Sequence, residues 1–261
     1  MKKLIVNYML GQFGVRWKEL FEEQMNTLKQ YGLFNEIEFI DIYVIGKEIL
    51  TDLSSIEHKI NNITYLGNME EEIPRNCKKY RADKFISKNI WHFCNLYPEY
   101  KVLFFHSSNV SYTPGTTAFL YKEAFRKYIE TFVLKNWKMC VELLDFYDCV
   151  GTDYAPIAAY RPMGDPYEYE LFAPHYPGEH YWANASYLKS LDPFFFHPTE
   201  EPFLKLQKHL GELWIGSGNP KAFSFYYSGD GTQGKCEVDP PYDTILADAT
   251  AHLNALKLSI R

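Results

Sequence analysis

Apolar residues change period several times along this chain, and each change marks an element boundary. Leu4–Leu10 is a short apolar run broken by Gly11 and Gly14, the profile of a buried strand. From Val15 to Tyr31 the apolar positions Trp17, Leu20, Phe21, Met25 and Leu28 recur at three- and four-residue spacing, and Gly32 closes the segment as a helix C-terminus. Glu36–Ile45 reads as a second strand ended by Gly46, and Asn62–Leu66 as a short third strand before Gly67-Asn68. Arg81–Leu96 is helical, with Phe85, Ile90, Phe93 and Leu96 sharing a side, and Pro98 stops it. Lys101–His106 is the fourth strand. Strands alternating with helices in this order predict an α/β fold, a mostly parallel central sheet with helices on both faces.

The pattern differs beyond residue 112. After a turn at Tyr112–Gly115, a helical period runs from Thr117 to Leu144, with Phe119, Phe125, Ile129, Phe132 and Trp137 among its apolar positions. Cys149–Tyr154 is a short apolar strand. Residues 155–180 are rich in Pro, Gly and Tyr without a clear period, and a loop of that length inside a compact domain points to function. Asn184–Leu191 and Glu200–Leu210 read as helices, residues 219–238 as strand and turn, and Tyr242–Arg261 as a final helix with Ile245, Leu246, Ala249, Leu253 and Leu256 on one stripe. With no repeat or linker, residues 1–261 are expected to form one domain.

Composition narrows the classes. A hydrophobic fraction of 46% over 261 residues is ample for a packed core. The balance of 27 basic and 33 acidic side chains, with no long basic tract, argues against binding along a nucleic-acid backbone. No stretch approaches the roughly 18 apolar residues of a membrane span. The opening MKKLIVNYML lacks a full-length apolar core and a small-residue cleavage site, so it reads as a first strand and not a signal peptide. Cys77, Cys94, Cys140, Cys149 and Cys236 form no CxxC pair and are odd in number, which fits reduced thiols and a cytoplasmic location, with peripheral contact to a membrane left open. The 21 Tyr, 19 Phe and 5 Trp are also what an AT-rich coding sequence produces, so only their positions discriminate.

Open parallel sheets bind ligands outside the carboxyl ends of their strands. Three such ends stand out: Met9–Arg16, Ile45-Gly46 and His106–Asn109. In the first, Leu10, Gly11 and Arg16 offer backbone N–H groups and a cation to a phosphate, although the segment is neither GxGxxG nor a Walker loop. The alternative is an ordinary strand-to-helix turn with a surface arginine. In the third, His106, Ser107 and Ser108 break abruptly from an apolar strand and can hydrogen-bond a ligand; a polar loop with a satisfied histidine reads equally well. Further on, Pro177-Gly178 leads into His180, Tyr181 and Trp182, and a lone Glu212 precedes Trp214. Flat aromatic faces beside a carboxylate suit a site that holds a sugar ring and removes a hydroxyl proton.

These segments also resemble a known family. LFFHSSNVS is similar to the YLHTKGxS motif of a family of GT-A-like glycosyltransferase domains of bacteria and viruses. A following WxxCxxxLxxxDxVG helix is matched by Trp137, Cys140, Leu144, Asp148 and Gly151. A HYSGNFWWAxxxYLxxL block is resembled by His175, Tyr176, Gly178, Trp182, Ala183, Tyr187, Leu188 and Leu191, and ExWIG by Glu212, Trp214, Ile215 and Gly216. The resemblance covers about residues 81 to 216 in the family's order. It implies a GT-A-like, Rossmann-like fold with a nucleotide-diphosphate-sugar donor held by residues 1–112 and an acceptor by residues 113–261. Ser107, Ser108 and Asn109 stand where the motif has Thr-Lys-Gly, and Glu179-His180 where it has Asn-Phe. No Asp-x-Asp follows the fourth strand, so dependence on Mn²⁺ or Mg²⁺ stays open; Asp145, Asp148 and Asp153 are the remaining acidic candidates.

The expected activity is therefore glycosyl transfer from a nucleotide sugar to a hydroxyl of a glycan or another acceptor. Glu212 is the expected base of an inverting reaction, kept ionised by a helix start. Leu10, Gly11, Arg16, His106, Ser107 and Ser108 are expected at the donor, and His175, His180, Tyr181 and Trp182 at the acceptor. Two rivals compete. A zinc hydrolase would use His175, His180 and either Glu212 or His106, but H-x4-H is not HExxH. A non-catalytic carbohydrate-binding protein would keep the aromatic platform and need no diphosphate pocket.

Overall fold

The computed structural model describes residues 3–12, 15–46, 48–51, 53–66, 75–107, 112–155, 159–160, 169–170, 174–176, 178–193, 213–226 and 241–259. Strand β1 (Leu4–Gly11) is buried along its whole length. Its even-numbered residues Leu4, Val6, Tyr8 and Leu10 enter one core and Ile5 and Met9 the other, which is why the strand reads as an apolar run and not as an alternation. Helix α1 (Trp17–Gln30) packs Trp17, Leu20, Phe21, Met25 and Leu28 on the first of these faces. Gly32 takes φ 77°, and a short α2 (Leu33–Glu36) follows. That turn of helix occupies the first residue assigned from sequence to the second strand, so β2 is Phe39–Ile45.

Strand β3 (Ile60–Tyr65), helix α3 (Arg75–Leu96) and β4 (Lys101–His106) complete the first half. Helix α3 covers the second face through Ala82, Ile86, Ile90 and Cys94. This is a correction to the side read from the sequence, since Phe85 and Leu96 are exposed. A further correction concerns the long helical period after residue 117. It is broken into α4 (Thr117–Glu130) and α5 (Trp137–Leu143) by a π-helical turn over Thr131–Lys135. The Asn136 side chain closes that turn by donating to the Thr131 carbonyl at 2.8 Å.

The later strands are short: β5 (Cys149–Gly151), β6 (Ala159–Tyr160), β7 (Tyr169–Glu170), β8 (Tyr181–Asn184) and β9 (Ala222–Ser224). Strand β5 ends early because Asp153 adopts φ 55°, which no strand continues through. Helix α6 (Ala185–Leu188) begins directly after β8, and α7 (Tyr242–Ser259) buries Ile245, Ala249 and Leu253. The Glu200–Leu210 segment lies outside the described residues.

One seven-stranded sheet runs in the order β3-β2-β1-β4-β8-β5-β9, while β6 and β7 form a separate pair. Strands β3, β2, β1 and β4 are mutually parallel, β8 is antiparallel to both of its neighbours, and β9 runs parallel to β5. Helices α1, α4, α5 and α7 cover one face and α3 and α6 the other, so the fold is α/β with a mostly parallel central sheet, as the alternation predicts. Among the described residues no helix is long and apolar enough to cross a membrane. Cys94, Cys140 and Cys149 are buried free thiols, and burial pushes Cys94 and Cys149 up to about 12.

Gly216 shows how tightly the late segments pack. A Cβ built there would lie 1.4 Å from the Pro174 carbonyl oxygen, a backbone atom that cannot rotate away. Gly216→Ala is therefore expected to cost upwards of about 3 kcal/mol, beyond the usual penalty of overpacking. Urea denaturation of the variant measures this loss.

Candidate functional site

Strand order reverses at β1, whose chain leads to β2 on one side and, later, to β4 on the other. The crevice at this switch lies between the carboxyl ends of β1 and β4, where such sheets hold ligands. The register sets Met9 against His106, so Gly11, Gln12, His106 and Ser107 meet at this edge. The Ser107 amide donates to the Met9 carbonyl at 2.9 Å, and the Gly11 amide donates to Ser107 Oγ at 2.8 Å.

The β2 side of the same edge is closed by Gln12. Its amide nitrogen donates to the Ile45 carbonyl at 2.9 Å. Its side chain donates to the Glu48 carbonyl at 2.7 Å and accepts from the Glu48 amide at 2.8 Å. Gly46 makes room for it, since a Cβ there would lie 2.2 Å from Gln12 Oε1. The Gly11 and Gln12 amides are thus already used within the protein. For Gly11 that stands against the expectation that its amide meets a phosphate.

Arg16 is likewise occupied. It stands at the N-cap of α1, its Nε and Nη2 donating to Glu19 at 2.9 and 3.1 Å and its Nη1 to Glu123 at 3.1 Å. Its guanidinium also lies 4.9 Å from the centre of the Phe119 ring. Glu19, working against partial burial and joined by Glu123, raises its pKa further, so its charge is matched by protein carboxylates. Leu10 is fully buried under α1 and belongs to the core. Ser108 and Glu212 lie outside the described residues.

The acceptor set divides. Trp182 is fully buried, its indole N–H donating to the Val133 carbonyl at 2.9 Å. Tyr181 is buried against Phe104, with ring centres 5.6 Å apart, and burial raises its hydroxyl pKa well above the usual range. Neither ring presents a face to a sugar; both hold β8 in the sheet. The strand itself was not anticipated, because its four residues run straight into a helix. His180, the residue before β8, does reach the ligand edge. Its ring centre is 4.8 Å from that of His106, and its Nδ1 lies 2.5 Å from the Gly178 carbonyl oxygen. His175 is buried beyond the end of β5, where its backbone pairs with Ala155.

Glu179 is the residue that sequence reasoning undervalued, having registered it only as a departure from a family motif. Its carboxylate is buried, with Oε2 3.6 Å from His106 Nε2. Gly178 at φ 83° and Glu179 at φ 53° bend the chain into this position, and the dipeptide Pro177-Gly178 was the available signal. Of the acidic candidates, Asp145 pairs with Lys101 at 2.5 Å and Asp148 accepts from the Lys221 amide at 2.8 Å, both at the opposite edge of the sheet. Asp153 follows β5 on the ligand edge. Among the described residues no group of three or more His, Cys, Asp or Glu is placed to hold a metal ion.

A buried polar network supports the crevice from the α1–α4 side. Gln24 donates to the His106 carbonyl at 3.2 Å and to Glu130 at 2.6 Å, and accepts from the Tyr8 hydroxyl at 2.7 Å. Arg126 grips Glu130 with Nη1 at 3.0 and 2.8 Å and reaches Glu23 with Nη2. Burial opposes the Arg126 charge, but Glu130 and Glu23 outweigh it and raise its pKa, so the guanidinium stays cationic. Burial pushes the Glu130 carboxyl upward against the pull of Arg126 and Gln24.

No family model matches the chain, and no curated protein does. Among solved structures, a 4-diphosphocytidyl-2C-methyl-D-erythritol synthase is similar at 9% identity, covering 94% of this chain and 98% of that one, with a TM-score of 0.37. The synthase of that name from Anaerococcus prevotii is similar at 12% identity, with 97% and 99% coverage and a TM-score of 0.37. A protein of Desulfovibrio desulfuricans described as a nucleotide-diphospho-sugar transferase is similar at 11% identity, with 98% of each chain covered and a TM-score of 0.31.

Removing one partner of a buried ion pair strands the other. Arg126→Met is therefore expected to destabilise the protein by about 3–5 kcal/mol. In Arg126→Met/Glu130→Met, urea denaturation should show part of that loss recovered.

Proposed function

We propose that the chain is a glycosyltransferase that moves a sugar from a nucleotide-diphosphate-sugar donor to a hydroxyl of a glycan or similar acceptor. The observation that carries this reading is the switch crevice. There the polar ends of β1 and β4 converge on His106 and Ser107, where an open α/β sheet takes a nucleotide ligand. The positive end of α1 opens toward the same edge, which favours an anionic ligand there. Burial of Tyr181 and Trp182 weighs against the carbohydrate-binding alternative, which depended on their faces.

In the proposed step the acceptor oxygen attacks the anomeric carbon. The bond from that carbon to the diphosphate oxygen breaks, and the nucleoside diphosphate leaves with the electron pair. The acceptor's proton passes to a carboxylate, and Glu212 is assigned that role. Its support is the sequence: a lone acid ahead of the Leu213–Gly216 segment, whose glycine packs against Pro174 next to His175. Contacts from His106 and Ser107 are assigned to the donor and from His175 and His180 to the acceptor side.

Thermal unfolding in the presence of UDP, GDP or dTDP tests the donor. A ligand at about 100 times its Kd contributes roughly 2.7 kcal/mol, an easily read rise in Tm. One of the three is expected to give it, and no shift with any of them would favour a binding module. Glu212→Gln is expected to lower turnover by roughly 10²–10⁴-fold while donor affinity barely changes. Unaltered turnover would remove Glu212 from the mechanism.

A further inference from the structure

The opposite edge of the sheet carries a second hollow. Helix α1 starts at the crevice edge, and Tyr31 follows its last residue, about 20 Å further along the helix axis. There Tyr31, the end of the π-helical turn, the start of α5 and the second half of α7 border a groove of about 460 Å³. Volumes of that size are typical of sites for small molecules.

The floor of the groove is apolar and fixed. Trp137 and Leu253 are buried in it, and the Trp137 indole N–H donates to the Tyr31 carbonyl at 2.9 Å, which ties the start of α5 to the end of α1. The wall on α7 is one ridge of Thr250, Leu253, Asn254 and Lys257, spaced three and four residues apart. A helical ridge of this length spans about 10 Å. The groove therefore has the reach of a small ring-bearing molecule and is too short for a peptide segment with several anchors.

Its charge runs against that of the whole chain, whose formal net charge is −6. Three lysines and one glutamate line it. Glu142 is bonded to Lys257, which leaves Lys135 and Lys138 without a carboxylate partner among the described residues. Both ammonium groups stand over apolar surface. Lys135 Nζ lies 5.9 Å from the centre of the Tyr31 ring, and Lys138 Nζ lies 5.6 Å from that of Trp137. Attraction to the rings holds these cations at the groove and draws them back from solvent. Lys135 is also the last residue of the π-helical turn, a rare distortion that is frequent at functional sites.

We propose that this groove is a second binding site, for a small organic anion that carries a flat apolar ring. The ring lies along the floor formed by Trp137 and Leu253, and the carboxylate, sulfonate or phosphate of the ligand meets Lys135 and Lys138. Burial of the ring supplies the non-directional part of the affinity, and charge-assisted hydrogen bonds to the two lysines fix the orientation. The groove shares no residue with the β1–β4 crevice, so the site stands whether or not the donor reading does.

Fluorescence titration of the full chain with anilinonaphthalene sulfonate tests the site, with phenylnaphthylamine, which has the same rings and no sulfonate, as the neutral probe. The wild type is expected to bind the sulfonate at a single class of site, at least about tenfold more tightly than the neutral probe. Lys135→Gln/Lys138→Gln should weaken sulfonate binding by at least about tenfold and leave the neutral probe unaffected. Lys88→Gln/Lys189→Gln removes the same charge from exposed positions outside the groove and should change neither. Asn254→Glu, which adds a carboxylate to the exposed wall, should also weaken sulfonate binding, and it decides the matter should the first variant fail the circular-dichroism check of folding. Three results would each overturn the proposal: no sulfonate binding by the wild type, equal binding of the two probes, or a groove variant that binds the sulfonate no more weakly than the control variant.

Discussion

The antiparallel pairing of β8 between β4 and β5 is the constraint on which the candidate site depends. Leu103 faces Trp182 and Phe104 faces Tyr181, so the beginning of β8 lies beside the end of β4. A parallel strand in that place would carry residues 178–180 to the opposite edge. The pairing is anchored by Trp182, which is fully buried and bonded to the Val133 carbonyl in the π-helical turn. A large side chain so enclosed resists any slip in register, because a one-residue shift would turn the indole to the other face of the sheet. Glu179 and His180 therefore meet His106 as a consequence of how the aromatic core packs.

The charged network between α1 and α4 acts at the same edge from above. Arg126 and Glu130 are buried, which is costly for ions, and their geometry offsets the cost through paired hydrogen bonds at 2.8 and 3.0 Å. Gln24 then joins this pair to the His106 carbonyl and to Tyr8, so the end of β4 is braced from the helix layer as well as from β1. The π-helical turn lies immediately after Glu130. It separates α4, which carries Arg126 and Glu130, from α5.

The first βα turn has a particular consequence for ligand chemistry. Glycine-rich phosphate loops work by presenting unused backbone amides. Here the amides of Gly11 and Gln12 are bonded to Ser107 and Ile45, and the arginine at the start of α1 is matched by glutamates. His106 stands at the junction of the two central strands, beside this closed part of the turn.

Much of the architecture was legible in the residues themselves. Strands β1 and β4 are buried on both faces and so read as apolar runs, and α1 and α7 carry their core residues at helical spacing. These are local properties, set by period and by the glycines that end each segment. What sequence could not decide was direction and partnership. Tyr181 and Trp182 are the same rings whether they line a sugar site or fill a core, and only the strand pairing turned them inward. Arg16 and Gly11 looked available until Glu123 and Ser107 arrived from far along the chain. Glu179 became a partner of His106 only because two left-handed residues and an antiparallel strand brought them together, a contact between distant segments that no local pattern encodes.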